Sequence, residues 1–375
     1  MGQLTDTGLA SLHRTGRFLK RVYLDRLGLV PADGSAGVYV RSTDYTRVLQ
    51  STFALLGGMF TGSTSSGGEV DGEFLTRHAI YARSDNRETL HGNVGCYNFL
   101  RIHFGRSVAQ ACQDTAWLGA VYRQTAALPS IGQQAKAMMD RSAFGSNFHP
   151  VFDELVALAA HGEDLPVGLT RDHLRLLGAA AHHQWYAPGT SASGQRLGYG
   201  LLLAELVATM DQAARGDFAA RMGPQTTHDV RLAPGGPQTD PPKPLIPRLA
   251  LYGAHDITLA PLAHIMGHPA SSDWMPFAST LALELLRDPA AAGSGAGAAA
   301  DLPRPPTVSA PPPPAHFVRI LFNGQPIAVP TCAAYGKHHP ALGPSVCTLD
   351  AFYEHIAHII PAPGALDAEC GTPPV

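Results

Sequence analysis

Two stretches of the chain, "GVYVRSTDYTRVLQSTFALLGG" from Gly37 and "LALYGAHDITLAPLAHIMG" from Leu249, change their apolar period at a short polar junction. Each begins as a β-prone run, Val38 to Val40 in the first and residues 249 to 254 in the second. Each continues at helical spacing, with Val48, Leu49, Thr52, Leu55 and Leu56 in one and Leu259, Leu262, Ala263 and Met266 in the other. Gly57 and Gly58 are expected to stop the first helix and Gly267 the second. Strand-to-helix units of this kind belong to an α/β fold. In open α/β sheets the carboxyl end of such a strand faces the ligand crevice, and the helix N-terminus beside it favours anions.

The junctions carry the chemistry. His255 and Asp256 stand between strand and helix in the second unit, and Arg41 holds the equivalent place in the first. A guanidinium grips phosphate through two parallel hydrogen bonds, an imidazole donates another, and a carboxylic acid protonates a departing oxygen. Each residue has a plainer reading too. Asp256 fits a helix N-cap, His255 a satisfied core histidine, and Arg41 a partner for a nearby carboxylate. Spacing alone does not choose between them.

A chain of 375 residues with 45% hydrophobic and 15% charged residues is long enough to bury a core and reads as a soluble globular protein. The net charge of −3 gives no support to nucleic acid or an acidic membrane surface as partner, which leaves small-molecule chemistry. No apolar run reaches the length of about 18 residues that a membrane span needs, and no signal peptide is visible after Met1. The five cysteines, Cys96, Cys112, Cys332, Cys347 and Cys370, show no zinc spacing, and no metal or other cofactor is expected.

A first helix is expected over about Thr5 to Leu24, where Leu9, Leu12, Gly16, Leu19 and Tyr23 recur at three or four residues. From about Gly92 to Gly198 strand signals are few, which suggests an inserted helical region. The expected organisation is a discontinuous α/β domain over residues 1–95 and 195–375 with a helical cap over 96–194. An Ala/Gly/Pro tract at 289–315 separates "TLALELL" from "HFVRILFNG" and reads as a β-hairpin connection expanded into a disordered loop.

The segments "GQLTDTGLASLHRTGRFLKRVY", "VRSTDYTRVLQSTFALLGGMF", "LYGAHDITLAPLAHIMG" and "PFASTLALEL", in that order, resemble the histidine acid phosphatase family, the acid phosphatase branch of the histidine phosphatase superfamily. The likeness extends to "HFVRILFNG" and the closing "CTLDAFYEHIAHIIPAPGALDAEC". It implies a mostly parallel sheet flanked by helices and a phosphomonoesterase working through a phosphohistidine. It also implies that Arg41 and His255 bind phosphate and that Asp256 is the proton donor. Disulfides Cys96 to Cys370 and Cys332 to Cys347 follow from the same resemblance, leaving Cys112 as a free thiol. So does a secretory, lysosomal, endosomal or extracellular location.

The family's nucleophile lies in an RHGxRxP motif on a central first strand, shortly before "GQLT". Neither the motif nor that strand is found in these 375 residues, so hydrolysis is not expected of the chain as written, and a truncated sequence is the favoured explanation. "TRHAIYARS" at 76–84 imitates the motif, but Ala79 stands for its Gly and Tyr81 for its second Arg, so Arg77 and His78 are assigned to a separate segment. Two alternatives differ in class. One is a non-catalytic relative binding phosphorylated ligands through Arg41 and His255. The other is a metal-dependent HD-type phosphohydrolase with His255 and Asp256 as ligands, which needs further His and Asp ligands in a helical setting.

Overall fold

The computed structural model describes residues 3–34, 36–60, 79–93, 95–104, 149–165, 169–223, 226–232, 244–269, 274–289, 305–308 and 315–371. Helix α1 (Asp6–Leu19) starts at Thr5, whose hydroxyl accepts the Gly8 N–H at 3.1 Å, and Asp6 in its first turn suits the helix dipole. It runs on as π-helical turns over Lys20–Arg26. Strand β1 (Val38–Ser42) then leads into α2 (Thr46–Phe60).

Helix α2 continues through Gly57 and Gly58 instead of stopping there. The close crossing of α1 and α2 explains Gly58 and its counterpart Gly16. A Cβ on Gly16 would meet the Leu55 carbonyl oxygen, with the Gly58 Cα at 3.0 Å, and a Cβ on Gly58 would meet the His13 carbonyl oxygen. Both positions therefore serve backbone contact between helices, an effect stronger here than glycine's weak helix propensity.

After β2 (Ile80–Ala82), the next described elements are all helices: α3 (Tyr97–Phe104), α4 (His149–Ala160), α5 (Arg171–Trp185), α6 (Ala187–Thr190) and the long α7 (Ala192–Ala214). Strands β3 (Val230–Leu232) and β4 (Leu249–Gly253) follow, and then α8 (Asp256–Ile265). The chain closes with β5 (Leu281–Arg287), β6 (His316–Phe322), β7 (Gln325–Ile327), β8 (His338–His339), β9 (Gly343–Thr348), α9 (Leu349–Ile356) and α10 (Ala365–Cys370).

The strands form two sheets. The first has the order β3-β2-β1-β4, with β1 parallel to both β2 and β4 and β3 antiparallel to β2. The second, β5-β6-β9-β8 with β7 beside β6, is antiparallel throughout. Strands β5 and β6 pair over seven residues from Leu281↔Phe322 to Arg287↔His316, the hairpin read from the sequence. Most of the 289–315 connection, and its expected disorder, lies outside the described residues. Among the described residues, β4 ends the first sheet and β5 ends the second, so each has one unpaired edge.

Side-chain alternation sorts the first sheet into two faces. Val40, Ile80, Leu249 and Leu251 pack with Leu24, Leu56 and Met59 beneath α1 and α2. Tyr39, Tyr81, Ala250 and Tyr252 cluster together with Met222 and Ile246. Arg41 is two residues from Tyr39 and shares its face, away from α1 and α2. A larger core joins α7, α8 and α9 to the second sheet. Cys96 is bonded to Cys370 and Cys332 to Cys347, with Cα separations of 4.7 and 5.3 Å. Cys112 lies outside the described residues.

The helix crossing yields a stability prediction. Gly16→Ala should cost about 1–3 kcal/mol, the usual penalty for overpacking, and lower the unfolding temperature by several degrees. An unchanged melting curve would show that α1 and α2 can separate freely.

Candidate functional site

Arg41 leaves the end of β1 and is only 1% exposed. Its Nη1 donates to Glu205 Oε2 at 2.7 Å, its Nη2 donates to Thr89 Oγ1 at 2.8 Å, and Glu88 Oε1 lies 3.5 Å away. Burial works against the guanidinium's charge, but the Glu205 and Glu88 carboxylates outweigh it and raise its pKa further. Arg83, placed just after β2 as Arg41 is placed at the end of β1, shares the same carboxylate. Its Nη1 donates to Glu205 Oε1 and its Nε to Asp229 Oδ1, both at 2.7 Å. Asp229 also accepts from the Tyr39 hydroxyl at 2.6 Å. Two buried guanidiniums thus alternate with two carboxylates across β1, β2, α7 and the loop before β3.

The register of β1 against β4 brings His255 beside this network. Ser42 lies opposite Gly253, Thr43 N–H donates to the Gly253 carbonyl at 3.2 Å, and the Thr43 hydroxyl is hydrogen-bonded to His255 Nε2 at 3.1 Å. The His255 ring also meets Tyr45 and His91 edge to face, at centroid distances of 5.2 and 5.7 Å. Burial, with help from Arg47 and His91, pushes its pKa down to about 3. His255 is therefore neutral across the mildly acidic range and offers a hydrogen bond without a resident charge.

His255, not Asp256, is the N-cap residue of α8, and its side chain makes no capping bond. Asp256 opens the helix, and its Oδ1 accepts the N–H of Ile257 at 2.8 Å. Burial raises the Asp256 pKa. His149, the Ile257 N–H and the Trp274 indole, which donates to the carboxyl, oppose that rise, while Asp153 adds to it. Trp274 packs against His149, Tyr186 and Phe152 at ring distances of 4.9, 4.6 and 5.5 Å. Arg41 and His255 thus both stand at the carboxyl end of the β1/β4 pair, whereas the Asp256 carboxyl turns toward an aromatic cluster from α4, the end of α5 and the loop before β5.

Arg77 and His78 lie outside the described residues. The sequence reading missed Arg83, Glu205, Asp229, Thr89 and His91. Arg83 had a legible signal, since it closes "AIYAR" as Arg41 closes "VYVR". Glu205 and Asp229 had none, because each meets its arginine across more than a hundred residues of chain. Among the described residues no group of three or more His, Cys, Asp or Glu side chains is arranged to hold a metal ion, so the HD pair has no further ligands there.

Comparison with known proteins agrees with this architecture. The family model for the histidine phosphatase superfamily (branch 2) matches residues 1–323, and the chain belongs to that family. It is 26% identical over 239 residues to testicular acid phosphatase of Mus musculus, covering 62% of this chain and 53% of that protein. It is 27% identical over 296 residues to lysophosphatidic acid phosphatase type 6 of Pongo abelii, covering 76% and 56%. The chain thus spans about half the length of these two relatives. The fold is that of the phytase from Citrobacter braakii, with a TM-score of 0.60 at 13% identity, over 100% of this chain and 90% of that one. The phytase of Klebsiella sp ASR1 matches with a TM-score of 0.54 at 16% identity, covering 100% and 88%.

Two substitutions probe the electrostatics. Glu205→Gln removes the charge shared by Arg41 and Arg83 and should destabilise the protein by about 3 kcal/mol, because breaking a buried pair strands its partner. Chemical denaturation measures this, and an unchanged midpoint would mean that the network relaxes without cost. Trp274→Phe removes a hydrogen bond to the charged form of Asp256, so the Asp256 pKa should rise further. Carboxyl 13C shifts followed against pH would show it, and an unchanged or lowered pKa would contradict the bond's role.

Proposed function

We propose that the chain is the phosphate-holding part of an acid-type phosphomonoester hydrolase. Arg41 and His255 hold the phosphate, and Asp256 gives its proton to the ester oxygen of the departing alcohol. The observation that supports this reading is that Arg41 and His255 stand at the carboxyl ends of adjacent parallel strands, His255 bonded to Thr43 two residues after Arg41, with Asp256 next in the chain. To take phosphate, Arg41 exchanges part of its bonding to Thr89 and Glu205 for phosphate oxygens. The incoming anion raises the depressed pKa of His255 and strengthens its hydrogen bond. The raised pKa of Asp256 keeps more of it protonated in mild acid, as a proton donor requires. The hydrolysis consumes one water and yields alcohol and phosphate.

We assign the nucleophile to an RHGxRxP motif that these 375 residues do not contain. The segment 96–194, whose described residues are largely helical and whose residues 105–148 lie outside the described ones, is read as the cap over the alcohol side. The names of the acid and lysophosphatidic acid phosphatases support a small-molecule phosphomonoester substrate. Two disulfides support passage through an oxidising, secretory compartment. Among the described residues no helix is long and apolar enough to cross a membrane. A non-catalytic phospho-ligand binder is the second reading, favoured by a chain that carries the binding groups without an RHGxRxP motif.

The test compares the chain as given with one extended upstream by an RHGxRxP-bearing segment, assayed at about pH 5 on p-nitrophenyl phosphate and an alkyl phosphate. The short form should be slower by about a million-fold, the loss typical of a site without its nucleophile. The extended form should show acid-optimal turnover, and Asp256→Asn in it should slow the alkyl ester more than the aryl ester. Robust turnover by the short form, abolished by His78→Ala, would move the nucleophile to residues 76–84. Equal slowing of both esters would remove Asp256 from the donor role.

A further inference from the structure

Residues 88–91 are fastened on two sides. The Glu88 carboxylate lies against Arg41 and accepts the backbone N–H groups of Thr89 and Leu90 at 2.8 and 2.7 Å. The Thr89 hydroxyl accepts from Arg41, and the Leu90 carbonyl accepts from the hydroxyl of Thr258 in α8. The Leu90 side chain joins the large core. Thr89 reaches the site through its bond to Arg41, and His91 through its contact with His255. His91 arrives between Tyr45 and His255, with ring centroids 5.8 and 5.7 Å away.

The His91 ring is costly where it stands. It is only 6% exposed, and neither Nδ1 nor Nε2 has a hydrogen-bond partner among the described residues; the nearest carboxylate oxygen, on exposed Asp85, is 4.0 Å from Nε2. Leaving one buried polar group unpaired costs about 1–3 kcal/mol. An apolar ring would pack against Tyr45 and His255 without that cost. The nearby Arg41 Nε is likewise buried without a partner. An unpaired ring N–H beside the His255 imidazole, on the loop that also carries Arg41's partner Thr89, is what a phosphate oxygen seeks.

We propose that His91 is a further phosphate-contacting residue, which hydrogen-bonds the anion alongside Arg41 and His255. This rests on the reading of Arg41 and His255 as the phosphate site, and it adds a contact from the loop after β2. Filling the site satisfies the ring, so His91 trades stability of the empty protein for affinity toward the anion.

Inorganic phosphate is titrated into the chain as given, into Arg41→Ala, into His91→Phe, which keeps a flat ring but no donor, and into His91→Gln, which keeps a donor. Calorimetry gives the affinity, 15N NMR follows the His91 ring, and thermal melting reports stability. The expected result is that His91→Phe binds phosphate about tenfold more weakly and melts no lower than the parent, while His91→Gln stays within about threefold; one contact worth 1.4 kcal/mol corresponds to tenfold. The His91 ring nitrogens should shift on saturation. Parent-like affinity in His91→Phe, or ring signals that stay fixed while those of His255 move, would overturn the proposal and leave the Arg41 and His255 reading standing. If the parent binds no phosphate, or Arg41→Ala binds it equally well, both readings fall. Should His91→Phe melt far below the parent, the ring shift and the Gln variant decide.

Discussion

A charged guanidinium that is almost wholly out of water governs the arrangement of this protein. Taking an ion from water into a protein costs several kcal/mol, and the cost is met only when carboxylates and hydrogen bonds surround it. Arg41 has Glu205, Thr89 and Glu88; Glu205 in turn serves Arg83, and Arg83 binds Asp229. Satisfying one buried charge therefore fixes the position of α7 over the first sheet, the conformation of the loop after β2 and the approach to β3. Its Nε has no partner among the described residues, so on the proposed reading a ligand oxygen meets the arginine there or displaces Thr89 or Glu205. A compact anion carrying several oxygens suits such a fork of donors.

His255 and Asp256 are neighbours in sequence but occupy different surroundings. His255 still has extended backbone, with φ −118 and ψ 159, whereas Asp256 is already helical. Side chains on either side of that change diverge, so the imidazole joins Thr43, Tyr45 and His91 while the carboxyl meets Trp274 near His149. Burial depresses the pKa of the imidazole and raises that of the carboxyl, which favours the neutral form of each. One strand-to-helix junction thereby sends the two side chains into separate surroundings, which the proposed reading uses as a binding side and a proton-donating side. Tyr199 anchors that junction by donating its hydroxyl to the Ile257 carbonyl at 2.7 Å.

What the sequence makes legible here is local. The change of apolar period at Arg41 and at His255 reveals strand and helix because it depends only on residues a few positions apart. The β5/β6 hairpin is legible across a long insertion because loop-closure entropy grows slowly with length. Gly57 and Gly58 mislead because a glycine pair signals a helix end, whereas Gly58 lies against the backbone of α1. The partners of Arg41 were hidden for the same reason. Glu205 lies in the middle of a strongly apolar helix, Asp229, the partner of Arg83, in the loop before β3, and nothing near either in sequence records the arginine it meets. Trp274 also gave no sign that it would reach the Asp256 carboxyl.

The most direct measurement is anomalous diffraction from crystals of this chain soaked in tungstate, a tetrahedral oxyanion with the shape of phosphate. Tungsten bound within hydrogen-bonding reach of the Arg41 guanidinium and the His255 ring, with the Arg41 contact to Glu205 or Thr89 loosened, is the predicted result. Ordered tungstate elsewhere, with Arg41 still closed on both partners and His255 still bonded to Thr43, would contradict it.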